Sequence, residues 1–163
     1  MKIQFFITGG TFDKEYDELT GKLFFKDSHL KEMLKIARNK VDLDVKTLMM
    51  VDSLDMTDDD RKIITLNCKK SEHKKILITH GTDTIVETAK VIAKFVKDKT
   101  IILTGAMIPY TFGSSDGLFN LGASIVAVQT LPVGVYICMN GRIFNYNKVR
   151  KNKKMGIFEE VEK

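Results

Sequence analysis

Five short runs rich in apolar residues, IQFFI (3–7), LDVKTL (43–48), KILIT (75–79), TIILT (100–104) and VGVYICM (133–139), recur along the chain with helix-period segments between them. Most are apolar throughout rather than alternating, so both faces of each strand need cover, and a parallel sheet wrapped by helices supplies it. Between the runs, three stripes have the spacing of one helix face: Leu30, Met33, Leu34 and Ala37; Ile85, Ala89, Ile92 and Val96; Leu118, Leu121, Ile125 and Val128. A fourth helix is expected over TDDDRKIITLNC, where Thr57 and Asp60 have capping-box spacing and acids crowd the positive end of the helix dipole. The fold class this predicts is α/β: a doubly wound, mostly parallel sheet with helices on both faces, a Rossmann-like or flavodoxin-like three-layer sandwich.

A chain of 163 residues, 44% of them apolar, can bury one core, and a single domain over 1–163 is expected. Its two prolines, Pro109 and Pro132, fall between elements, with no repeat or linker. Cys68 and Cys138 lie far apart in apolar or helical stretches, which fits a reduced cytoplasmic protein rather than a disulfide framework, and no metal-type spacing occurs. The opening MKIQFFITGG is apolar for only five residues, too short for a signal peptide or a membrane span, and reads as the first strand. The net charge of +5 is local, because Lys148, Arg150, Lys151, Lys153 and Lys154 account for all of it. Such a run is a solvated segment, a polyanion patch, or the hiding place of one functional lysine.

In an open parallel sheet, ligands bind beyond the carboxyl ends of the strands. Four segments should open on that rim: ITGGT (7–11), VDSLD (51–55), ITHGTDT (78–84) and LTGAM (103–107), so Thr11, Ser53, Thr82 and Asp83 are expected to converge. Each turn alone is explained by glycine geometry and helix capping. Glycine-rich turns at helix starts also suit phosphate, but neither GxxxxGK[ST] nor GxGxxG is present. The chemistry is more telling. A threonine hydroxyl needs activation to act as a nucleophile, HGTDT places a hydroxyl beside a carboxylate, and TGGT flanks another hydroxyl with backbone amides suited to an oxyanion. Amide or ester hydrolysis fits these parts.

His80 closes an apolar strand and reads as a buried, hydrogen-bonded structural residue rather than a general base, whereas His29 and His73 are expected at the surface. Asp116 and Asn120, four apart at a helix start, read as a cap and loop anchor supporting the rim. Segment 11–25 is expected to form a mobile flap closed by a short hairpin that excludes water from the site.

Taken in order, ITGGTFD, DSLDM, THGTDT, LTGAMIP, SSDGLFNL and VRKN resemble the N-terminal domain of bacterial-type L-asparaginases, over nearly the whole chain, and the chain is similar to short single-domain members. The resemblance implies hydrolysis of L-asparagine to L-aspartate and ammonia through an acyl-enzyme, with no metal or organic cofactor. It makes Thr11 the nucleophile and Tyr16 the loop tyrosine that activates or shields it. Thr82 becomes the second threonine, Asp83 the carboxylate that holds the substrate amino group, Lys151 the lysine that lowers the proton affinity of Thr82, and Ser53 a ligand of the substrate carboxylate. Leu54 occupies a substrate-contacting position where many relatives carry glutamine. The C-terminal domain of two-domain relatives, which lends an acid to a neighbour's site, is expected to have no counterpart here, so that acid is expected from Glu159, Glu160, Glu162 or another subunit, or is absent. Homo-oligomerisation is implied, and neither a membrane nor a nucleic-acid partner is expected. Two other readings stand beside this one: an amino-acid-binding regulatory module with little or no turnover, and, from the basic tail alone, a nucleic-acid-linked amidotransferase component.

Overall fold

The computed structural model describes residues 1–161. In chain order its elements are β1 (Ile3–Gly9), β2 (Lys14–Asp17), β3 (Lys22–Phe25), α1 (Leu30–Ile36), β4 (Leu43–Val51), α2 (Asp58–Lys70), β5 (Lys75–Thr79), α3 (Ile85–Phe95), β6 (Thr100–Thr104), α4 (Gly117–Thr130), β7 (Gly134–Met139), β8 (Arg142–Asn145), β9 (Val149–Asn152) and β10 (Ile157–Glu160). One sheet runs β4-β1-β5-β6-β7-β8, parallel throughout except that β8 returns antiparallel beside β7. With its five parallel strands numbered in chain order, the sequence across the sheet is 2-1-3-4-5, the flavodoxin-like arrangement, and the order reverses between β1 and β5. The expected fold class is thus observed.

Two apolar clusters flank the sheet and make it the middle of three layers. Along β6, Ile101 and Leu103 join one cluster with Ile64 and Cys68 of α2 and Ile85, Ala89 and Ile92 of α3. Ile102, between them, joins the other with Leu30 and Met33 of α1 and Leu121, Ile125 and Val128 of α4. Successive side chains of a strand point to opposite faces, so a run apolar at every position feeds both clusters. Strand β4 departs from this: it is the sheet edge, and Val45, Lys46 and Thr47 are exposed.

All five predicted strands and four predicted helices form, and residues 14–25 make the expected hairpin of β2 and β3. Three elements had no clear pattern in advance: the short edge strand β8, and the antiparallel pair formed by β9, which lies within the basic run, and β10, which follows it. Nor are His29 and His73 surface residues, since both are half-buried. The His29 ring packs on Tyr110 at 5.8 Å between centroids, and His73 lies 3.5 Å from Asp44.

The capping box at α2 is complete: Asp60 N–H donates to Thr57 Oγ1 at 3.2 Å, and Thr57 N–H donates to Asp60 Oδ2 at 2.8 Å. Replacing Thr57 with alanine leaves an orphan N–H in the first turn, and should lower stability by about 1 kcal/mol, read as a lower urea midpoint with an unchanged slope.

Candidate active site

The four predicted rim segments meet where the strand order reverses, and the contact that brings two of them together is backbone on backbone. Gly10, with φ of 85°, lies so near Gly81 that a Cβ on Gly10 would fall 2.3 Å from the Gly81 nitrogen and 2.5 Å from its Cα. Glycine alone permits both the positive φ and the approach. Thr11 and Thr82 follow these two glycines directly, so their turns are packed neighbours at the carboxyl ends of β1 and β5. On the far side of Gly81 lies Ser53, whose Oγ would be 2.5 Å from an added Cβ. The Thr84 hydroxyl donates to the Ser53 carbonyl at 2.7 Å, pinning the loop after β4 to the turn after β5.

Lys151 arrives from the opposite end of the chain. Val149 and Phe158 plug the β9–β10 pair into the core, and Lys151, two residues from Val149, points with it toward the molecule. Its Nζ donates to Thr82 Oγ1 at 2.8 Å and to Asp83 Oδ1 at 2.9 Å, with only 11% of the side chain exposed. An ammonium has donors and no lone pair, so Thr82 must accept here, and its own proton is free to point elsewhere. The basic run therefore holds one built-in lysine among otherwise largely solvated neighbours.

Behind this cluster, His80 is fully buried. Its Nδ1 faces the Gly81 carbonyl at 2.8 Å and must donate there, which leaves Nε2 to accept the Thr88 hydroxyl, also at 2.8 Å. Burial pushes its pKa down to about 4, against the raising effect of the Gly81 contact and with help from the Arg61 charge. A neutral, saturated imidazole of this kind shapes the turn and is no proton shuttle. Asp116 accepts from the backbone N–H groups of Met107 and Ile108 and from Asn120 Nδ2, while Asn120 Nδ2 also donates to the Gly105 carbonyl. The pair anchors the rim as expected, although Asp116 caps no helix N–H with its side chain.

Other expectations fare differently. The Gly10 N–H donates to the Val51 carbonyl at 3.1 Å, so that amide is unavailable to an oxyanion. Tyr16 is 57% exposed on β2, its hydroxyl lies near Gly21 at the hairpin tip, and no hydrogen bond among the described residues joins it to Thr11. The Leu54 side chain is exposed as well. Glu159 is engaged by Arg150 Nε at 2.8 Å, Glu160 is exposed, and Glu162 lies outside the described residues.

Sequence reasoning missed Asp13, Thr84 and the ion pair of Lys14 with Asp52. Asp13 is fully buried in the 3-10 turn that Thr11 begins, and its Oδ1 accepts from Ser28 Oγ and His29 N–H, both at 2.9 Å, tying that turn to the start of α1. Burial raises its pKa, opposed by the hydrogen bonds from His29 and Ser28 and by the nearby His29 ring. Thr84 alone had a legible signal, its place before a helix, and that signal pointed to a cap rather than to the tie it makes.

An open, doubly wound sheet whose reversal point gathers threonines, an ammonium and a carboxylate defines a class, the flavodoxin-like α/β proteins with polar groups set beyond their strand ends. Within that class, residues 2–160 match the family described as Asparaginase, N-terminal, and the chain belongs to that family. It is 34% identical over 134 residues to the probable periplasmic L-asparaginase of Haemophilus influenzae, covering 77% of this chain and 37% of that protein. It is 30% identical over 150 residues to a glutamyl-tRNA(Gln) amidotransferase component of Thermofilum pendens, covering 85% and 33% of the two. The thermostable L-asparaginase of Thermococcus kodakarensis shares its fold, with a TM-score of 0.87 at 24% identity over 99% of this chain and 51% of that one. The chain thus spans about half, or less, of the length of these relatives. Among the described residues, no helix is long and apolar enough to cross a membrane.

The neutral burial of His80 has a pH signature. Above its ordinary value of 6.5 the ring is neutral folded or unfolded, and its contribution is fully present. As pH falls from 6.5 toward 4, the unfolded chain takes the proton first and folding stability is lost. Urea midpoints compared at about pH 7 and about pH 5, above the carboxylate range, should show a loss on the order of 2 kcal/mol that a His80→Gln variant does not show.

Proposed function

We propose that the chain is an L-asparaginase-type amidohydrolase that converts L-asparagine and water to L-aspartate and ammonia. The observation that carries this reading is the Lys151–Thr82–Asp83 cluster, held at hydrogen-bond distance in the turn packed against that of Thr11. In the proposed sequence, Thr11 Oγ attacks the side-chain amide carbon, its proton passes to the departing nitrogen, and the C–N bond breaks to give ammonia and a threonyl ester. Water then cleaves the ester, releasing aspartate and restoring the Thr11 hydroxyl. Thr82, accepting from the Lys151 ammonium, is the polarised hydroxyl that relays the proton, because a neighbouring cation favours its deprotonated form. Asp83 holds the substrate ammonium. Ser53, whose buried hydroxyl has no partner among the described residues, holds the carboxylate, and such orphan hydroxyls ordinarily have one.

No cofactor enters this scheme, and neither a membrane nor a nucleic acid is assigned as partner. The two buried, free cysteines support placement in the cytoplasm, and homo-oligomerisation goes with the family reading. Tyr16 enters the scheme only if the hairpin brings it inward. A second reading, an amino-acid-binding module with little turnover, is favoured by one observation: among the described residues no acid is hydrogen-bonded to Thr11 or Tyr16.

Ammonia release from asparagine by the purified chain separates the two. Replacing Thr11 with alanine should lower turnover at least about a thousandfold, the scale of losing a covalent nucleophile, while calorimetric binding of aspartate persists. Full activity in that variant would remove Thr11 from the role, and tight binding without turnover in the unaltered chain would establish the module instead.

A further inference from the structure

Lys14 begins β2, three residues after Thr11, and Asp52 immediately precedes Ser53. Although 38 positions separate them, Lys14 Nζ meets Asp52 Oδ2, with side chains only 17% and 23% exposed. Both partners are held from behind. Asp52 Oδ1 accepts the Leu54 N–H at 2.9 Å, which orients the carboxylate, and the Lys14 carbonyl accepts the Thr111 hydroxyl at 3.2 Å, which seats the hairpin against the loop after β6. Burial disfavours ionisation of Asp52, but the Lys14 ammonium, the Leu54 N–H and the charge of Lys151 outweigh it and hold the carboxyl below its usual range. Asp52 therefore feels two cations, one carried by the hairpin and one bonded to Thr82.

We propose that the Lys14–Asp52 ion pair is a positioning latch, fastening the hairpin that follows Thr11 to the loop that carries Ser53. A hairpin of two four-residue strands is marginal by itself, so its seating depends on such side-chain ties. The latch makes two rim segments move together: when the hairpin docks, the Thr11 turn and the Ser53 loop are joined across Gly10 and Gly81. It also removes a competitor. With Lys14 docked, the Asp52 charge is neutralised and Lys151 remains with Thr82 and Asp83; with Lys14 withdrawn, an uncompensated carboxylate is left within the field of Lys151. An ion pair suits the task because it breaks and reforms as substrate enters and product leaves, which a buried apolar contact of the same area would do less readily. The kinetic consequence rests on the amidohydrolase reading, whereas the structural one does not.

Amide hydrogen exchange and kinetics test the two halves separately. Lys14→Met and Asp52→Asn should each speed exchange of hairpin amides 14–25 by about fivefold or more, the scale of a partly buried pair, with exchange in β5 and β6 unchanged. Raised salt should narrow the difference from the unaltered chain by screening the intact pair. In the ammonia assay both variants should raise KM. Lys14→Met, which strands the carboxylate, should also lower kcat, and the Lys14→Met, Asp52→Asn double variant should recover kcat. The reversed pair, Lys14→Glu with Asp52→Lys, should return hairpin exchange to within about twofold of the original. Hairpin exchange unchanged in both single variants, or a reversed pair no better than the singles, overturns the latch. If the unaltered chain releases no ammonia from any amide, the catalytic reading fails while the exchange arm still decides the latch.

Discussion

The absence of two β-carbons holds this site together. Gly10 and Gly81 sit where β1 and β5 end, on either side of the reversal in strand order, and their backbones touch at a distance no side chain would allow. Parallel strands lie about 4.8 Å apart in the sheet, but the turns that leave them would diverge if each carried bulk. Because both are glycine at this point, the two turns stay in contact beyond the sheet, and the residues that follow, Thr11 and Thr82, are carried on adjacent turns. Ser53 closes the third side by packing on Gly81 from the loop after β4.

On this frame the polar groups are placed by ties that cross between segments. Thr8 Oγ1 donates to the Thr79 carbonyl and Thr104 Oγ1 to the Cys138 carbonyl, so threonines at the strand ends stitch neighbouring strands where ladder bonds stop. Thr84 reaches Ser53, Asp13 reaches the start of α1, and Lys14 reaches Asp52. Each is a hydrogen bond or ion pair withdrawn at least in part from water, where such contacts are stronger and an unmatched partner costs more. The turns at this rim are therefore held in place by the same polar residues that make them look merely structural when read one at a time.

The layers of the fold were legible because they follow from burial. Runs such as KILIT and TIILT are apolar at every position, which demands cover on both faces, and the stripe of Ile85, Ala89 and Ile92 supplies part of it. Thr57 and Asp60 announced a helix start through spacing alone. The hairpin at 14–25 was visible in its flanking pattern, although its fastening was not. The elements without a sequence pattern had weak or misleading local signals: β8 is only four residues long, and β9 is masked by lysine and arginine, so residues 148–154 read as a solvated segment, a polyanion patch or the setting of one functional lysine rather than as a strand. His29 looked like a surface residue because nothing near it in the chain suggested that Tyr110 would cover it.

The amino-acid sequence alone determined the strand and helix succession, the doubly wound class, and the set of threonines and carboxylates that the strand ends would carry, since these depend on periodicities of two and 3.6 residues written into neighbouring positions. Tertiary structure decided which charge meets which hydroxyl, a pairing that only the family resemblance had named for Lys151 and Thr82. Lys151 and Thr82 are 69 residues apart, and Lys14 and Asp52 are 38 apart. Pairings over such separations leave no periodic trace, because they are set by how the sheet stacks its turns and not by any property of the segments that enter them.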